Sequence, residues 1–338
     1  MQTLICEKPG SLEYISRQIP VPAAGYALLK IKQVGICGTD LHAYQGDQPY
    51  FEYPRVLGHE LAAEIADIGP NEYYAIGDRV TVIPYLHCGS CIACRQGLTN
   101  CCSQLKVLGV HLDGAMSEFI SVPVSQIVKG NDFRFDELAL VEPLAIGAHG
   151  IRRAAVQAGE FVLVMGAGPI GLGLMAFAAM TGASVIAMDV NEDRLAFCRE
   201  NLSIPYTFNP LTEDPIQRLN QITGNDLPSV IIDATGNLGA INAAFQYLAH
   251  GGRYVLVGLQ KGDILVNHPE FHKREAVLMS SRNATLHDFQ FVMAAMKSRS
   301  VQPENFITHR VGFDAVKASI NSWLDPGSKV IKAMVQMY

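Results

Sequence analysis

The chain has 338 residues, of which 49% are hydrophobic and 17% charged, and its formal net charge at pH 7 is −6. This composition is typical of a globular protein with room for two hydrophobic cores, and it excludes a disordered or fibrous chain. The negative charge and the lack of a basic block argue against a nucleic-acid partner, and the N-terminal segment has no secretory pattern, so we expect a cytoplasmic protein without a membrane partner.

Short strand-like runs fill the chain up to about residue 128. They are broken by Gly, Pro and Asp, a pattern that predicts a mostly β domain with irregular loops. The clearest runs are 27–34, 61–68, 79–83 and 118–122.

Three dispersed residues in this half form a candidate metal site. Cys37 lies in the segment GICGTDLH, and His59 and Glu60 lie in VLGHE. A thiolate, an imidazole and one or two carboxylates suit zinc with one position left for water or substrate, as catalysis requires. Each residue taken alone is equally typical of an ordinary packed position, so the spacing by itself does not establish a metal site.

A denser cysteine cluster follows at 88–102. Cys88, Cys91, Cys94 and Cys102 have the spacing C-x2-C-x2-C-x7-C. Four thiolates complete a tetrahedron and leave no position for a substrate, which predicts a structural zinc site. Cys101 is an alternative fourth ligand, but we favour Cys102 and interpret Cys101 as a spectator thiol.

After residue 135 the pattern changes to alternating helices and strands, which predicts a parallel sheet with helices on both faces. We expect a helix over 135–156, a strand–helix–strand unit over 161–189, a helix over 240–248, and strands over 230–233 and 253–257. The apolar stretch 163–180 is long enough to suggest a membrane span, but its glycines and proline favour a buried strand and helix.

Within that unit, Gly166, Gly168 and Gly171 form a G-x-G-x-x-G loop, with Pro169 and Ile170 between the last two glycines. The spacing predicts a tight turn at Gly166, close approach of a pyrophosphate at Gly168, and helix–strand packing at Gly171. The pyrophosphate would lie at the helix N-terminus, where free N–H groups favour an anion.

The next strand ends at Asp189, about 20 residues beyond the loop, as dinucleotide-binding units require. A carboxylate there accepts hydrogen bonds from the ribose hydroxyls and repels a 2′-phosphate, so we expect NAD rather than NADP. Arg194 is a candidate for contact with the adenine or ribose and is equally typical of a solvated helix residue.

The last segment has a helix over 288–298 and a strand over 329–335, and we expect it to fold back on the first domain. The predicted domains are therefore 1–143 with 282–338, which includes the cysteine lobe 88–102, and 144–281, the dinucleotide domain.

Taken together, GICGTDLH, VLGHE, the four-cysteine lobe and GAGPIG resemble the zinc-dependent medium-chain alcohol and polyol dehydrogenases over nearly the full length. The resemblance implies an α/β fold, with a GroES-like β-rich catalytic domain and a Rossmann domain built on a doubly wound parallel sheet. It implies Cys37 and His59 as catalytic zinc ligands and Glu60 as a ligand or near neighbour. Glu142 matches a glutamate of the polyol branch, whose contact with the metal, direct or through water, stays open.

The implied cofactors are one catalytic zinc, one structural zinc and NAD, and the implied reaction is hydride transfer from a secondary alcohol in a crevice between the domains. Leu259 would approach the nicotinamide. Thr39 would accept the hydroxyl proton and His42 would carry it towards solvent, although His42 is equally typical of a solvated loop. Glu142 is the alternative proton carrier.

The segments YPRVLGHE, LGVHLDGAMSEF and SSRNAT are most similar to the branch of this family that contains bacterial L-galactonate dehydrogenases and starvation-sensing oxidoreductases. This implies a small sugar-acid substrate. Arg282 or Arg55 would bind its carboxylate, and the alternative for each arginine is a structural ion pair. Sorbitol- or L-iditol-type polyols, L-threonine, or a sensing protein with vestigial activity are the alternatives. Relatives form homodimers or homotetramers, and we expect the same here.

Overall fold

A computed structural model describes residues 1–48 and 51–338, and in it the chain forms two compact units. The first unit comprises Met1–Glu142, Thr285–Met293 and Gln302–Tyr338, and the second comprises Pro143–Ala284 and Ala294–Val301. Residues 294–301 therefore group with the second unit, although they follow the point at which we expected the chain to return to the first domain.

The strands of the described residues are, in chain order, β1 (Gln2–Lys8), β2 (Ser11–Ser16), β3 (Tyr26–Gly35), β4 (Arg55–Val56), β5 (Glu60–Ile68), β6 (Arg79–Val82), β7 (Tyr85–Leu86), β8 (Lys106–Val107), β9 (Phe119–Pro123), β10 (Ile127–Lys129), β11 (Phe161–Met165), β12 (Ser184–Met188), β13 (Tyr206–Phe208), β14 (Val230–Asp233), β15 (Arg253–Leu256), β16 (Val277–Ser280), β17 (Ile307–Gly312) and β18 (Lys332–Gln336).

The α-helices are α1 (Gly38–Gln45), α2 (Ile92–Arg95), α3 (Phe135–Ala139), α4 (Val141–Ala154), α5 (Pro169–Met180), α6 (Glu192–Leu202), α7 (Pro215–Thr223), α8 (Leu238–Ala244), α9 (His268–Lys273), α10 (Leu286–Lys297) and α11 (Val316–Leu324). Among the helices of the described chain, none combines the length and the apolar character that a bilayer span requires. The apolar stretch 163–180 is part of strand β11, the glycine loop and helix α5.

The first unit is built on a sheet with the order β10-β6-β5-β3-β18-β17, in which β9 also pairs with β3. Its central strands are rich in buried Val, Ile, Leu and Ala, which pack with β1 and α11 in one core. Gly35, the last residue of β3, pairs with Glu60 on β5 and with Met334 on β18. β3 therefore ends and β5 begins at the same level, beside the middle of β18 and just before Cys37.

The second unit contains a parallel sheet with the order β13-β12-β11-β14-β15-β16. Relative to the chain this is 3-2-1-4-5-6, the order of a doubly wound dinucleotide-binding fold. The central strands are short apolar runs buried on both faces, as expected for a parallel sheet covered by helices. The glycine loop follows the first of these strands, β11.

The single helix predicted over 135–156 is wrong, because the structure has α3 and α4 with a break at Leu140. Pro143 explains the break, since a proline has no N–H and fits only the first turn of a helix. Similarly, the helix predicted over 240–248 begins at Leu238 and ends at Ala244, before a 3₁₀ turn.

Candidate active site and metal centres

Cys37, His59 and Glu60 come together in the first unit. Their ligand atoms all lie within 4.8 Å of one another. Cys37 precedes helix α1, and Glu60 opens β5, directly across from Gly35. A Cβ atom on Gly35 would overlap Glu60 Oε2 and lie 3.3 Å from Cδ of the same carboxylate. Glycine at this position therefore makes room for the Glu60 side chain.

A buried carboxylate, Asp40, ties the two ligand-bearing segments together. It accepts hydrogen bonds from the backbone N–H of Cys37 at 2.9 Å and of Gly58 at 3.0 Å. Its Oδ1 also lies 3.8 Å from His59 Nδ1. Carboxylates behind a ligating histidine commonly fix the orientation of its ring. Burial raises the pKa of Asp40, and nothing in the sequence pattern distinguishes this residue from other helix-start acids.

Glu142, at the start of α4, is fully buried and is held by one oxygen. Its Oε1 accepts a hydrogen bond from the Tyr85 hydroxyl, while Oε2 has no hydrogen-bond partner among the described residues. Burial raises the pKa of Glu142 to about 7, and the neighbouring Glu60 carboxylate contributes in the same direction. Tyr85 lies on the two-residue strand β7, which is too short to give a sequence pattern.

Lys332, the first residue of β18, brings a positive charge into this group of acids. Its Nζ lies 2.7 Å from Glu60 Oε1, 2.6 Å from Glu60 Oε2 and 3.0 Å from the carbonyl oxygen of Ile36. Only 2% of Lys332 is exposed. Burial alone would lower the pKa of Lys332, but Glu60 and Cys37 raise it overall.

The charges around His59 indicate that the site suits a cation. Burial by itself would lower the pKa of His59, but the Cys37 thiolate and the Asp40 carboxylate outweigh that effect, so the pKa lies well above its ordinary value. A soft thiolate, an imidazole and carboxylates form a typical donor set for zinc. Glu142 is not one of the three residues whose ligand atoms come together here, but its buried Oε2 has no hydrogen-bond partner among the described residues.

The proton carriers predicted from the resemblance lie on α1. Thr39 is half-buried in its first turn, and His42 is exposed in its last turn. Residues three apart on a helix are neighbours on one face, so the two side chains share a face of α1 that begins beside Cys37.

The cysteine lobe forms a second compact donor set. The Sγ atoms of Cys88, Cys91, Cys94 and Cys102 all lie within 4.8 Å of one another. Cys91 and Cys94 are 3.5 Å apart and Cys88 and Cys94 are 4.0 Å apart, close to the S···S distance of about 3.8 Å in a tetrahedron with Zn–S bonds of about 2.3 Å. Cys101 is exposed and lies outside this group.

Backbone N–H groups favour the thiolate form at two of the four cysteines of the lobe, while burial and the neighbouring sulfur atoms raise the pKa of Cys94 to about 12. The N–H groups of Ser90 and Cys91 lower the pKa of Cys88 to about 7, and those of Cys94 and Ser103 lower the pKa of Cys91 to about 5. The Cys88 N–H donates in turn to the Cys102 sulfur at 3.3 Å. Since zinc binds the thiolate form, this environment fits a structural zinc ion.

In the second unit, the glycine loop joins β11 to α5. Gly166 has φ of +94°, a backbone conformation that favours glycine. A Cβ on Gly171 would overlap the carbonyl oxygen of Gly166 and lie 2.9 Å from its carbonyl carbon. A Cβ on Gly168 would meet only Arg194 Nη1, at 4.0 Å, so the backbone there is open to a ligand. Such a cradle at a helix N-terminus fits a pyrophosphate.

Asp189 follows β12 and holds this loop in place. Its Oδ2 accepts a hydrogen bond from the Ala167 N–H at 2.6 Å, and its Oδ1 accepts one from the Asn191 N–H at 2.8 Å. A carboxylate can accept about four hydrogen bonds, so acceptor positions remain for a ribose.

The remaining candidates in the second unit lie around the loop. Pro169 and Ile170 form the first turn of α5, Arg194 is half-buried on α6, and Leu259, 63% exposed, follows β15. Arg282 is exposed just beyond β16.

Arg55, in the first unit, is part of a charged surface group. Its Nη1 lies 3.6 Å from Asp113 Oδ1, and Arg17 Nη1 lies 2.8 Å from Oδ2 of the same carboxylate. The ion pair supports a structural role for Arg55, while its buried Nε has no hydrogen-bond partner among the described residues and leaves a donor for a substrate carboxylate.

Comparison with known families gives two matches that follow the two halves of the chain. The family model described as the alcohol dehydrogenase GroES-like domain matches residues 23–132. The model described as zinc-binding dehydrogenase matches residues 169–298. The predicted fold class, a GroES-like β-rich domain with a Rossmann domain, is confirmed by these matches.

Similar proteins match over most of the chain. L-galactonate-5-dehydrogenase of Escherichia coli K12 is 44% identical, and the match covers 99% of this chain and 98% of that protein. 2-dehydro-3-deoxy-L-galactonate 5-dehydrogenase of Pseudoalteromonas atlantica is 33% identical, over 85% and 84%. The crystal structure of an alcohol dehydrogenase, rspB, of E. coli CFT073 with NADH has a TM-score of 0.93 and 31% identity, and covers 99% of each chain.

Proposed function

The chain belongs to the zinc-binding alcohol dehydrogenase family, and we propose that it oxidises a secondary alcohol of a sugar acid, of the L-galactonate type, to the keto acid with NAD as hydride acceptor. Family membership confirms the prediction of a zinc-containing, nicotinamide-dependent oxidoreductase that acts on a small molecule. Two relatives named for galactonate-type acids support the choice of substrate.

The observation that carries the proposal is the convergence of Cys37, His59 and the buried carboxylate of Glu60 in the first unit. Cys37, His59 and either Glu60 or Glu142 would hold the catalytic zinc. When bound, zinc supplies a Lewis acid that lowers the pKa of the substrate hydroxyl, and NAD supplies the hydride acceptor. Asp40 would keep the His59 ring oriented through the backbone segments that it ties together.

Two routes are available for the hydroxyl proton. Thr39 would receive it close to Cys37, and His42 would release it to solvent from the exposed end of α1. Alternatively, Glu142 would hold it, because burial places the pKa of Glu142 at about 7, where a carboxyl can gain or lose a proton at neutral pH.

In the second unit, Gly166, Gly168 and Gly171, with Pro169 and Ile170, would hold the pyrophosphate at the N-terminus of α5.

The adenosine side of the site would be completed by Asp189 on the ribose and by Arg194, whose guanidinium lies beside the loop. Leu259 would approach the nicotinamide. Cys88, Cys91, Cys94 and Cys102 would hold a structural zinc, so we expect two zinc ions per chain.

A substrate panel tests the function. Purified, zinc-loaded protein is given L-galactonate, other aldonates, sorbitol, L-iditol and L-threonine, each with NAD and with NADP, and NADH or NADPH formation is followed by absorbance. We expect the highest kcat/KM for an aldonate with NAD. Activity confined to neutral polyols or to L-threonine would contradict the sugar-acid proposal, and inactivity with every alcohol would favour a sensing role.

We also propose that the chain forms a homodimer, or a homotetramer built from such dimers, through β16. This strand is the last in the sheet of the second unit, and Val277 and Leu278 on it are 46% and 37% exposed. An apolar edge strand readily pairs with a second copy. Light scattering of Val277→Lys should show a monomer if this edge is the interface.

The eight free cysteines suit the reducing cytoplasm, where we place the protein.

A further inference from the structure

Asp233 is a buried acid at the carboxyl end of β14. It is 0% exposed, and it pairs in the sheet with Met165 and Leu256, the last residues of β11 and β15. Burial raises the pKa of Asp233, and hydrogen bonds from the backbone and one side chain oppose that rise. A buried carboxylate is costly unless hydrogen bonds or a cation compensate it, so the groups that donate to Asp233 are what hold it in this position.

The turn that follows β14 supplies these donors. Oδ1 of Asp233 accepts hydrogen bonds from the Thr235 hydroxyl at 2.5 Å and from the Thr235 N–H at 3.2 Å. Oδ2 accepts a hydrogen bond from the Gly236 N–H at 3.1 Å. Both oxygens therefore face donors, and a carboxylate accepts on both sides, whereas an amide side chain accepts on only one.

The turn formed by Thr235 and Gly236 lies between two other loops of the second unit. On one side, a Cβ on Gly166 would lie 3.0 Å from Thr235 Cγ2 and 3.2 Å from Thr235 N. On the other side, a Cβ on Gly258 would lie 2.7 Å from Gly236 Cα, and a Cβ on Gly236 would lie 2.7 Å from the Leu259 carbonyl oxygen. Because backbone packs directly on backbone here, a shift of the turn displaces the Leu259 backbone as well.

The position of β14 in the sheet indicates which part of a dinucleotide this turn faces. β11 and β14 are neighbours at the point where the strand order reverses, and a dinucleotide crosses the crevice at such a point. The glycine loop after β11 belongs to one half and has its own anchor, since Asp189 accepts a hydrogen bond from the Ala167 N–H. The loops after β14 and β15 belong to the other half, which is left for the nicotinamide.

We propose that Asp233 is a positioning residue for the nicotinamide half of NAD, which fixes the turn at Thr235 and Gly236 and, through this turn, the backbone of Gly258 and Leu259. The inference rests on the proposed NAD site, in which Leu259 approaches the nicotinamide. Asp233 is fully buried, so it acts through these backbone segments and not by contact with the cofactor.

The variant Asp233→Asn tests this role, because it keeps the size of the side chain and turns one acceptor into a donor that faces another donor. Calorimetry compares NADH with ADP-ribose, which lacks the nicotinamide. We expect NADH binding to weaken about 5-fold or more, the effect of one unsatisfied buried donor, while ADP-ribose binding stays within about twofold. General damage to the second unit would weaken both ligands. Equal weakening of both, or unchanged NADH binding, would overturn the proposal.

Asp214→Asn is the matched control in the same unit. Asp214 is exposed and caps α7 by accepting a hydrogen bond from the Gln217 N–H at 2.8 Å. Asparagine caps a helix as well as aspartate does, so this variant should bind both ligands as the wild type does.

Two substitutions of Thr235 probe the same contact without a change of charge, and they decide the question if Asp233→Asn does not fold. Thr235→Val keeps a methyl group towards Gly166 but loses the hydroxyl that donates to Asp233. It should weaken NADH and leave ADP-ribose unchanged, whereas Thr235→Ser keeps the hydroxyl and should restore NADH binding to within about twofold of the wild type. Equal NADH affinities of Thr235→Val and Thr235→Ser would overturn the proposal.

The same titrations separate this inference from the proposed function. If the wild-type protein binds neither NADH nor ADP-ribose, the NAD site is misplaced and both proposals are wrong. If the wild type binds both ligands but Asp233→Asn does not discriminate between them, only the role of Asp233 is wrong.

Discussion

The contact between Gly171 and Gly166 gives the sharpest prediction for the dinucleotide loop. In Gly171→Ala the new Cβ would overlap the Gly166 carbonyl oxygen and lie 2.9 Å from its carbon, whereas carbon atoms normally approach to about 3.5 Å. Because the obstructing atoms are backbone, no side-chain rotation relieves the overlap, and the loop must shift. Overpacking of this kind costs about 1–3 kcal/mol.

Gly173, two residues further along α5, is the matched control. A Cβ there would lie 3.5 Å from Leu144 Cδ2, an ordinary contact. Alanine also favours a helix over glycine by about 1 kcal/mol, so Gly173→Ala should be neutral or stabilising.

The assay is a fluorescence titration with NADH, combined with thermal unfolding of both variants. To bind the pyrophosphate, the shifted loop of Gly171→Ala must return to its wild-type conformation. The cost of about 1–3 kcal/mol then weakens NADH binding about 5- to 150-fold. Gly173→Ala should bind NADH as the wild type does. Affinity in Gly171→Ala within twofold of the wild type would refute the assignment of this loop to the cofactor.

Three further outcomes are expected. Between its ordinary value of 4.5 and its folded-state pKa of about 7, Glu142 holds more proton in the folded metal-free protein than in the unfolded chain. The free energy of unfolding of the metal-free protein should therefore fall as pH rises through this window, by about 1.4 kcal/mol per pH unit per proton, and zinc should remove this dependence. Denaturant titrations at several pH values measure this free energy, and a rise with pH would contradict the raised pKa of Glu142. Cys94→Ser should reduce the zinc content from two ions to one and lower the melting temperature, while Cys101→Ser changes neither; equal losses in both variants would rule out the assigned ligand set. Asp189→Asn should raise the KM for NAD at least about 10-fold and relax discrimination against NADP, since an amide no longer repels the 2′-phosphate; an unchanged NAD to NADP ratio of kcat/KM would speak against the role of Asp189.

Short-range patterns account for most of what could be predicted. The cysteine lobe lies within residues 88–102 and the glycine loop within residues 166–171, and their geometry follows from local backbone constraints such as the positive φ of Gly166. The strands around them are apolar runs with clear ends. The break at Leu140 was missed because the hydrophobic pattern continues through it and only Pro143 marks the boundary.

Contacts that depend on strand register could not be predicted in the same way. Lys332 lies near the end of the chain, whereas β3 and Glu60 lie near its beginning. Lys332 reaches Glu60 only because β18 pairs with β3. In the sequence it is an ordinary residue at the start of a strand. The contacts of Asp40 with Gly58 and of Tyr85 with Glu142 are similar, since they depend on the folding of distant segments, whereas the bond of Asp40 to the Cys37 N–H is local.

The rate of NADH formation from L-galactonate by wild-type protein and Cys37→Ser, with zinc content measured on the same samples, tests the proposed chemistry most directly. Loss of the Lewis acid removes several kcal/mol of transition-state stabilisation, so Cys37→Ser should keep one zinc ion and lose about 10³-fold or more in kcat/KM. Turnover at the wild-type rate by a Cys37→Ser protein that holds a single zinc ion would contradict a catalytic metal at Cys37 and His59.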